Sequence, residues 1–290
     1  MCHGFVAAHH DTVFFTPHPN PLPLESELIL HSQFSILHYT SHMPTIQVFT
    51  DDEIASFRKG GAILRDCLAM LPAHVKAGVT TKHLDEIAET FIRDHGGIPA
   101  FKGFHGFPGT LCTSVNEECV HGIPSQRMLE DGDIVSLDCG VIFDELYTDA
   151  CITVPVGNIS KQAHELLNVT KNALDEAMVF LKAGVKVGDL SALIQKIVEH
   201  AGFHPVKSLT GHGLGRTLHQ YPDIHNRGKA GTGPTFPANT VVAVEPIVSI
   251  SADDVRMSGD GWTLVTTDHS LAAHFEHTVL ILEGGCEVLA

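Results

Sequence analysis

Positive charge is scarce in this chain. Its 290 residues carry 18 Lys and Arg against 34 Asp and Glu, a net charge of −16. So few cations leave no broad patch to neutralise phosphates, which excludes nucleic acid as a partner. No apolar run approaches the roughly 20 residues that cross a bilayer. Residues 1–42 contain no Lys or Arg, which a signal or transit peptide would need, so a cytoplasmic protein without membrane contact is expected. Cysteine is present but unpatterned. The seven cysteines, at 2, 67, 112, 119, 139, 151 and 286, are odd in number and form no Cys-x-x-Cys pair. That speaks against a disulfide framework and a zinc finger, and for reduced, mostly buried thiols. What remains, 43% hydrophobic and 18% charged, suits a globular chain able to bury a full core.

Residues 1–42 differ from the rest, with seven His and prolines at 17, 19, 21 and 23 that favour extended chain. They read as a loosely ordered extension, and residues 43–290 as a single domain. Thr50-Asp51-Asp52-Glu53 fits a capping box, and Ile54, Phe57, Leu64, Leu68 and Leu71 follow at helical spacing, predicting a helix over 51–73. A second starts near Thr81 and stops at Gly96 and Gly97. Ser160 caps a third, and Asp189 opens a fourth that ends before Gly202. Lys76-Ala77-Gly78-Val79 returns as Lys182-Ala183-Gly184-Val185, an offset of 106 shared by Leu84 and Leu190, Phe91 and Ile197, Gly96 and Gly202. The chain is therefore expected to be duplicated, over about 50–156 and 160–290. Each helix pair precedes β-type sequence, at 134–141 and 147–156, then at 240–250 and 274–282. Two helix–helix–hairpin halves give an α+β fold, with helices against the outer face of an antiparallel sheet.

The duplication also pairs carboxylates. Asp138 and Glu245 each end an apolar run, 107 positions apart, and Asp149 in the first return strand has its counterpart in Glu276 of the second. Four carboxylates converging from buried strands repel one another and lose hydration unless positive charge lies between them. A metal centre is the economical answer. His212, in Thr-Gly-His-Gly-Leu-Gly, is the fifth candidate, since its flanking glycines admit close approach to a crowded site. Oxygen-dominated donors with one imidazole favour Mn, Fe or Co, with Zn as a further candidate, as two ions about 3.5–4 Å apart.

The order Asp138, Asp149, His212, Glu245, Glu276 resembles the five-ligand set of the pita-bread metallopeptidases over residues 50–290. Residues 111–124, reading LCTSVNEECVHGIP, together with Gly261-Trp262-Thr263 and Thr267-Asp268-His269-Ser270, are similar to the methionine aminopeptidases. The resemblance implies the pita-bread fold and removal of the initiator methionine from chains with a small second residue. It implies that Asp149 and Glu276 bridge two divalent ions, with Asp138 completing one ion's set and His212 with Glu245 the other's. Water between the ions attacks the scissile carbonyl, and Glu245 takes its proton. His121 then lies near the scissile nitrogen, and His219 donates to the carbonyl oxygen. Phe101, Phe104, Phe107, Cys112, His121, His219 and Trp262 form the substrate pocket, where aromatic faces and sulfur hold a thioether.

The chain departs from the family at several of these places. Phe101 and Leu218 stand where a cysteine and a phenylalanine are expected, Phe104 and Phe107 where tyrosines are usual, and His274 where a glutamine is common. These departures bear on pocket shape and substrate preference and leave the five-ligand set intact. Only 31 positions separate Glu245 from Glu276, too few for the helical insertion of type II enzymes. The missing cysteine pairs exclude the zinc-binding extension of the eukaryotic type I form, so a bacterial-like type I core is expected. The implied partners are nascent polypeptide N-termini, with ribosome contact as an extension of that role, and the implied state is a monomer. Two rival readings are an Xaa-Pro peptidase of the same fold and a non-catalytic pita-bread binding protein.

Overall fold

The computed structural model describes residues 44–290. The extension expected over 1–42, and Cys2 within it, lie outside the described residues.

Helix α1 (Asp51–Met70) opens on the expected capping box: the Thr50 hydroxyl accepts from the Glu53 amide, and the Glu53 carboxylate accepts from the Thr50 amide at 2.9 Å. Asp51, Asp52 and Glu53 place negative charge at the positive end of the helix dipole. The helix stops three residues before the expected end. Pro72 brings no N–H to continue it, and the chain tightens into a 3₁₀ turn over Leu71–His74. Helix α2 (Thr81–Asp94) is capped by the Thr80 hydroxyl, at 3.2 Å from the His83 amide. In the second half, Ser160 caps α3 (Lys161–Phe180) through the Ala163 amide at 3.1 Å. Helix α4 (Val187–His200) starts two residues before Asp189, whose carboxylate accepts from the Gly231 amide at 2.6 Å instead of capping the helix. The pairs match in length, 20 and 14 residues in each half. Gly96 and Gly202, which end the second helix of each pair, share a φ of +83° that only glycine adopts freely.

The first half continues with strands β1 (Ile98–Pro99), β2 (Leu111–Val115), β3 (Glu118–Val120), β4 (Ile134–Phe143) and β5 (Leu146–Pro155). β4 and β5 pair without a break from Ile134 opposite Pro155 to Phe143 opposite Leu146. Asp144 and Glu145 close this hairpin with φ of 48° and 64°, the twist that two-residue antiparallel turns require. β1 and β2 lie along the other edge of β4.

The second half contains β6 (His204–Pro205), β7 (Thr210–Gly213), β8 (Gln220–His225), β9 (Thr240–Val244), β10 (Ile247–Ser249), β11 (Val255–Met257), β12 (Leu264–Thr266), β13 (Ala272–His274), β14 (His277–Leu282) and β15 (Gly285–Val288). Five of them form a sheet ordered β15-β14-β9-β7-β8, while β13-β10-β6 and β11-β12-β3 form three-stranded sheets. All the strand pairings are antiparallel, so the α+β architecture is as expected.

The runs expected at 240–250 and 274–282 are each two strands. Glu245-Pro246 separates β9 from β10, because Pro246 has no N–H for a ladder. Phe275-Glu276 separates β13 from β14, because the chain there changes partners: β13 pairs with β10, β14 pairs with β9, and Glu276 between them pairs with Cys151 of the other half.

Alternation along the strands decides what faces the helices. Val135, Leu137, Cys139 and Val141 of β4 pack against Leu64, Leu68, Leu84 and Ile92 of α1 and α2. Val242 and Val244 of β9 and Val279 and Ile281 of β14 pack against Leu166, Leu174, Leu190 and Ile194 of α3 and α4. The opposite parity carries Asp138, Asp149, Glu245 and Glu276 towards the space between the halves; along β9 and β14 the same face also carries Val241, Ala243 and Leu280, which pack with Ile54 and Phe57 of α1. Cys67, Cys112, Cys119, Cys139 and Cys151 are free and buried, and Cys286 is free and partly buried. Among the described residues no helix is long and apolar enough to cross a membrane.

Candidate metal centre and substrate pocket

The halves meet along β5 and the β13–β14 segment. Glu276 and Cys151 exchange backbone hydrogen bonds, with the Glu276 amide 2.9 Å from the Cys151 carbonyl. Two residues away on either side, threonine hydroxyls replace the ladder. The Thr278 hydroxyl accepts from the Asp149 amide at 2.8 Å and donates to the Asp149 carbonyl at 2.6 Å. The Thr153 hydroxyl does the same for His274, at 2.9 and 2.7 Å. This seam sets Asp149 beside Glu276. Asp138 faces Cys151 across β4 and β5, one diagonal step from Asp149.

His212 comes from β7, which lies against β9. Its glycines act through space. A Cβ on Gly211 would stand 2.5 Å from the Ala243 carbonyl oxygen, and one on Gly213 would stand 2.4 Å from that of Tyr221. Without them β7 could not lie so close to its neighbours. His212 Nδ1 is 2.9 Å from the Gly213 carbonyl, so the hydrogen-bond network assigns the proton to Nδ1 and leaves Nε2 bare. Nε2 lies 3.6 Å from Glu245 Oε1 and 4.0 Å from Asp149 Oδ2. One donor atom each from Asp149, His212 and Glu276 fall within 4.8 Å of one another.

The centre is electrostatically incomplete. Asp138, Asp149 and Glu276 are buried, and Asp138 Oδ1, Asp149 Oδ1 and Glu276 Oε1 have no hydrogen-bond partner. Burial pushes the Asp138 carboxyl up to about 7, against the opposing pull of Asp149 and the Cys112 thiol. Burial, then the charges of Glu276 and Asp138, raises Asp149 well above the carboxylate range. Glu245 and Glu276 rise for the same reasons, burial first and the neighbouring carboxylates second. Burial holds His212 down at about 4, so its imidazole is neutral. Four acids that resist ionisation, orphaned oxygens and a bare imidazole nitrogen form a donor set that divalent cations complete, since cations remove both the repulsion and the desolvation cost.

The five residues predicted as ligands are thus brought together. The predicted pocket assembles beside them: Phe101, Phe107 and Cys112 are buried in one cluster with Leu218, and Phe104 and Trp262 pack against it. Phe107 meets Trp262 edge to face at 5.2 Å. Cys112 stands opposite Asp138 on β2, so the pocket wall and the carboxylate centre share a strand pair. Gly140, opposite Asp149, keeps Phe101 close: a Cβ there would lie 2.8 Å from the Phe101 ring. His219 joins pocket and centre, with its ring 5.8 Å from Phe104 and 4.5 Å from His212. His121 is exposed, follows β3 with φ of 61°, and its carbonyl accepts from the Thr263 hydroxyl at 3.4 Å.

One departure is not where it was expected. His274 does not belong to the pocket cluster. It is buried among the carboxylates, with Nε2 3.5 Å from Glu245 Oε2 and 3.6 Å from Glu276 Oε2. Its position two residues before Glu276 on an alternating strand would have placed it on the same inward face. Three other contributors escaped the sequence reading. Thr153 and Thr278 form the seam between the halves. Asp85 of α2 is buried and accepts from the Thr110 and Leu111 amides at 2.6 and 2.8 Å, fixing the start of β2 ahead of Cys112. Only the β-rich setting of the threonines could have hinted at the seam, because it depends on pairing between halves.

Comparison with known proteins completes the picture. The model of metallopeptidase family M24 matches residues 55–283. The chain is similar to methionine aminopeptidase of Clostridium perfringens, 44% identical over 239 residues that cover 82% of this chain and 96% of that protein. Methionine aminopeptidase 1 of Bacillus subtilis is 42% identical over 240 residues, 83% of this chain and 97% of that protein. A crystal structure of methionine aminopeptidase from Thermotoga maritima superposes with a TM-score of 0.84 at 39% identity, covering 84% of this chain and 99% of that one. A prolidase from Pyrococcus furiosus reaches a TM-score of 0.68 at 20% identity, a likeness of fold alone, and this chain spans 64% of its length. The shared fold is the pita-bread fold.

Proposed function

This chain belongs to metallopeptidase family M24, and we propose that it is a methionine aminopeptidase with two divalent metal ions per chain. It removes the N-terminal methionine from peptides and nascent polypeptides whose second residue is small. The same reading has it act on new chains in the cytoplasm, in contact with the ribosome, and takes it to be a monomer. Asp138, Asp149, His212, Glu245 and Glu276 hold the ions, with Mn, Fe and Co suited to the oxygen-rich set and Zn a further candidate. Bound there, such ions supply an activated water and positive charge for the scissile carbonyl.

The chain's own residues do the rest. The cluster of Phe101, Phe104, Phe107, Cys112 and Trp262 takes the methionine side chain and excludes water from the first peptide bond. Because Cys112 adjoins Asp138, a side chain seated in the cluster brings its own carbonyl to the carboxylates. Glu245, with Oε1 3.6 Å from His212 Nε2, accepts the proton of the attacking water. His219, between pocket and centre, donates to the carbonyl oxygen as negative charge builds on it. His121 serves the departing amide nitrogen.

The observation that carries this reading is the convergence of the buried Asp138, Asp149 and Glu276, the partly buried Glu245 and the bare His212 nitrogen beside an aromatic pocket. The test compares Met-Gly-Met with Ala-Pro-Ala. Release of methionine from the first by metal-loaded protein is expected, and preference for the second would make the chain an Xaa-Pro peptidase instead.

A further inference from the structure

His274 is the one group in the centre that the five-ligand set leaves unused. Its side chain is almost fully buried, its residue exposure being 2%, and neither ring nitrogen has a hydrogen-bond partner. The backbone holds it firmly, with its amide and carbonyl both bonded to the Thr153 hydroxyl and its Cα opposite Ile247 in β10. Such a group loses its hydration on folding and recovers nothing from the protein.

The distances say what is missing. His274 Nε2 is 3.5 Å from Glu245 Oε2 and 3.6 Å from Glu276 Oε2, too far for good hydrogen bonds to either. His212 Nε2 is 3.6 Å from the other oxygen of the same carboxylate, Glu245 Oε1. Two donor atoms bound about 2.0–2.2 Å from one ion, at angles between tetrahedral and trigonal, stand roughly 3.3–3.7 Å apart. The spacing of His274 from both glutamates is thus the spacing of ligands that share an ion. Glu245 lies between two imidazoles, each facing one of its oxygens.

We propose that His274 is a sixth metal ligand, joining Glu245 and Glu276 on the ion that His212 also serves. The inference rests on the dinuclear reading above and extends it. A second imidazole gives that ion a nitrogen-richer set than His212 and the carboxylates alone. The balance then shifts from Mn towards Zn and Co, ions that imidazole suits and that stand above Mn in the general affinity order.

The test uses the metal-stripped full chain as wild type, His274→Gln and His274→Ala. Gln offers an oxygen donor at similar reach, and Ala offers none. The Zn-to-Mn affinity ratio from competitive titration is expected to fall about tenfold or more in both variants. X-ray absorption of the Zn-loaded chain should show scattering from two imidazoles in wild type and from one in each variant. Circular dichroism of the metal-free proteins confirms that all three are folded. An unchanged ratio together with unchanged imidazole scattering would overturn the assignment of His274 and leave the five-ligand centre standing. A wild-type chain that binds neither ion would overturn both.

Discussion

Asp138 and Asp149 stand in the middle of ten-residue strands that pair along their whole length, whereas Glu245 and Glu276 occupy the gaps in strands that break where they lie. The two halves reach the same centre by different means. In the first, a short carboxylate rides on a backbone fixed by hydrogen bonds to both sides. In the second, a carboxylate one methylene longer leaves a backbone between strands, Glu245 before Pro246 and Glu276 bridged only to Cys151 of the other half, and His212, His219 and His274 all come from that half. The first half acts as the rigid reference, and the second half as the part in which donors can be exchanged.

The contrast can be broken by changing side-chain length on each side. Asp149→Ala and His212→Ala are expected to abolish metal-dependent release of methionine, a loss of at least about 1,000-fold in kcat/KM, while circular dichroism stays that of the folded chain. Asp149→Glu should lose at least about 100-fold, because β5 cannot retreat to admit the extra methylene. Glu276→Asp, in the broken half, should lose only about tenfold. Steady-state kinetics on Met-Gly-Met measures all four, and equal losses for the two length changes would erase the distinction between rigid and adjustable halves.

A smaller effect separates the carboxylates from the histidines in metal-free protein. Asp138, at about 7, and the three acids raised well above their usual range keep protons in the folded state that the unfolded chain has lost. Their contribution to stability is complete below the unfolded carboxylate range of about 4 and is lost as pH rises through the folded values. His212 and His274, held down at about 4 and about 3, act in the opposite sense. Their stabilisation is present above about 6.5 and is lost below it, so above that pH the acids change, joined towards pH 9 by the thiols of Cys112, Cys119 and Cys151, which burial raises. Calorimetry of the stripped chain between pH 7 and 9 should therefore show Tm falling by several degrees, and metal should suppress the fall. A flat profile would mean that the four acids are not forced together.

The least of the expected effects concerns the seam. Thr278→Val removes the hydroxyl that serves both the amide and the carbonyl of Asp149. Leaving those groups unpaired costs about 1–3 kcal/mol, or roughly 3–8 °C in Tm for a domain of this size. A change below a degree would show that the Thr278 hydroxyl does not help to hold the halves together.

The sequence made the outline of this architecture legible because its signals are local. The Thr50 and Ser160 caps, the recurrence of Lys-Ala-Gly-Val and the apolar spacing on four helices each depend on a few neighbouring residues. Four of the five proposed ligands were legible through the pairing of Asp138 with Glu245 and Asp149 with Glu276, and His212 through its flanking glycines. Strand breaks were not. In 240–250 the one local sign was Pro246, which cannot donate to a ladder, and in 274–282 only the change of pairing partner at Phe275-Glu276 interrupts the run. The position of His274 was hidden for a related reason. As a departure from the family it suggested a reshaped pocket, yet its parity with Glu276 turns it towards the carboxylates.

Metal stoichiometry bears most directly on the central claim. The stripped full chain is dialysed against graded Mn or Co, bound metal is counted by mass spectrometry, and methionine release from Met-Gly-Met is measured on the same samples. Binding that saturates at two ions per chain, with release rising from nothing as the sites fill, is the predicted result. Release that persists in stripped protein, or a chain that retains no divalent ion, would contradict the account.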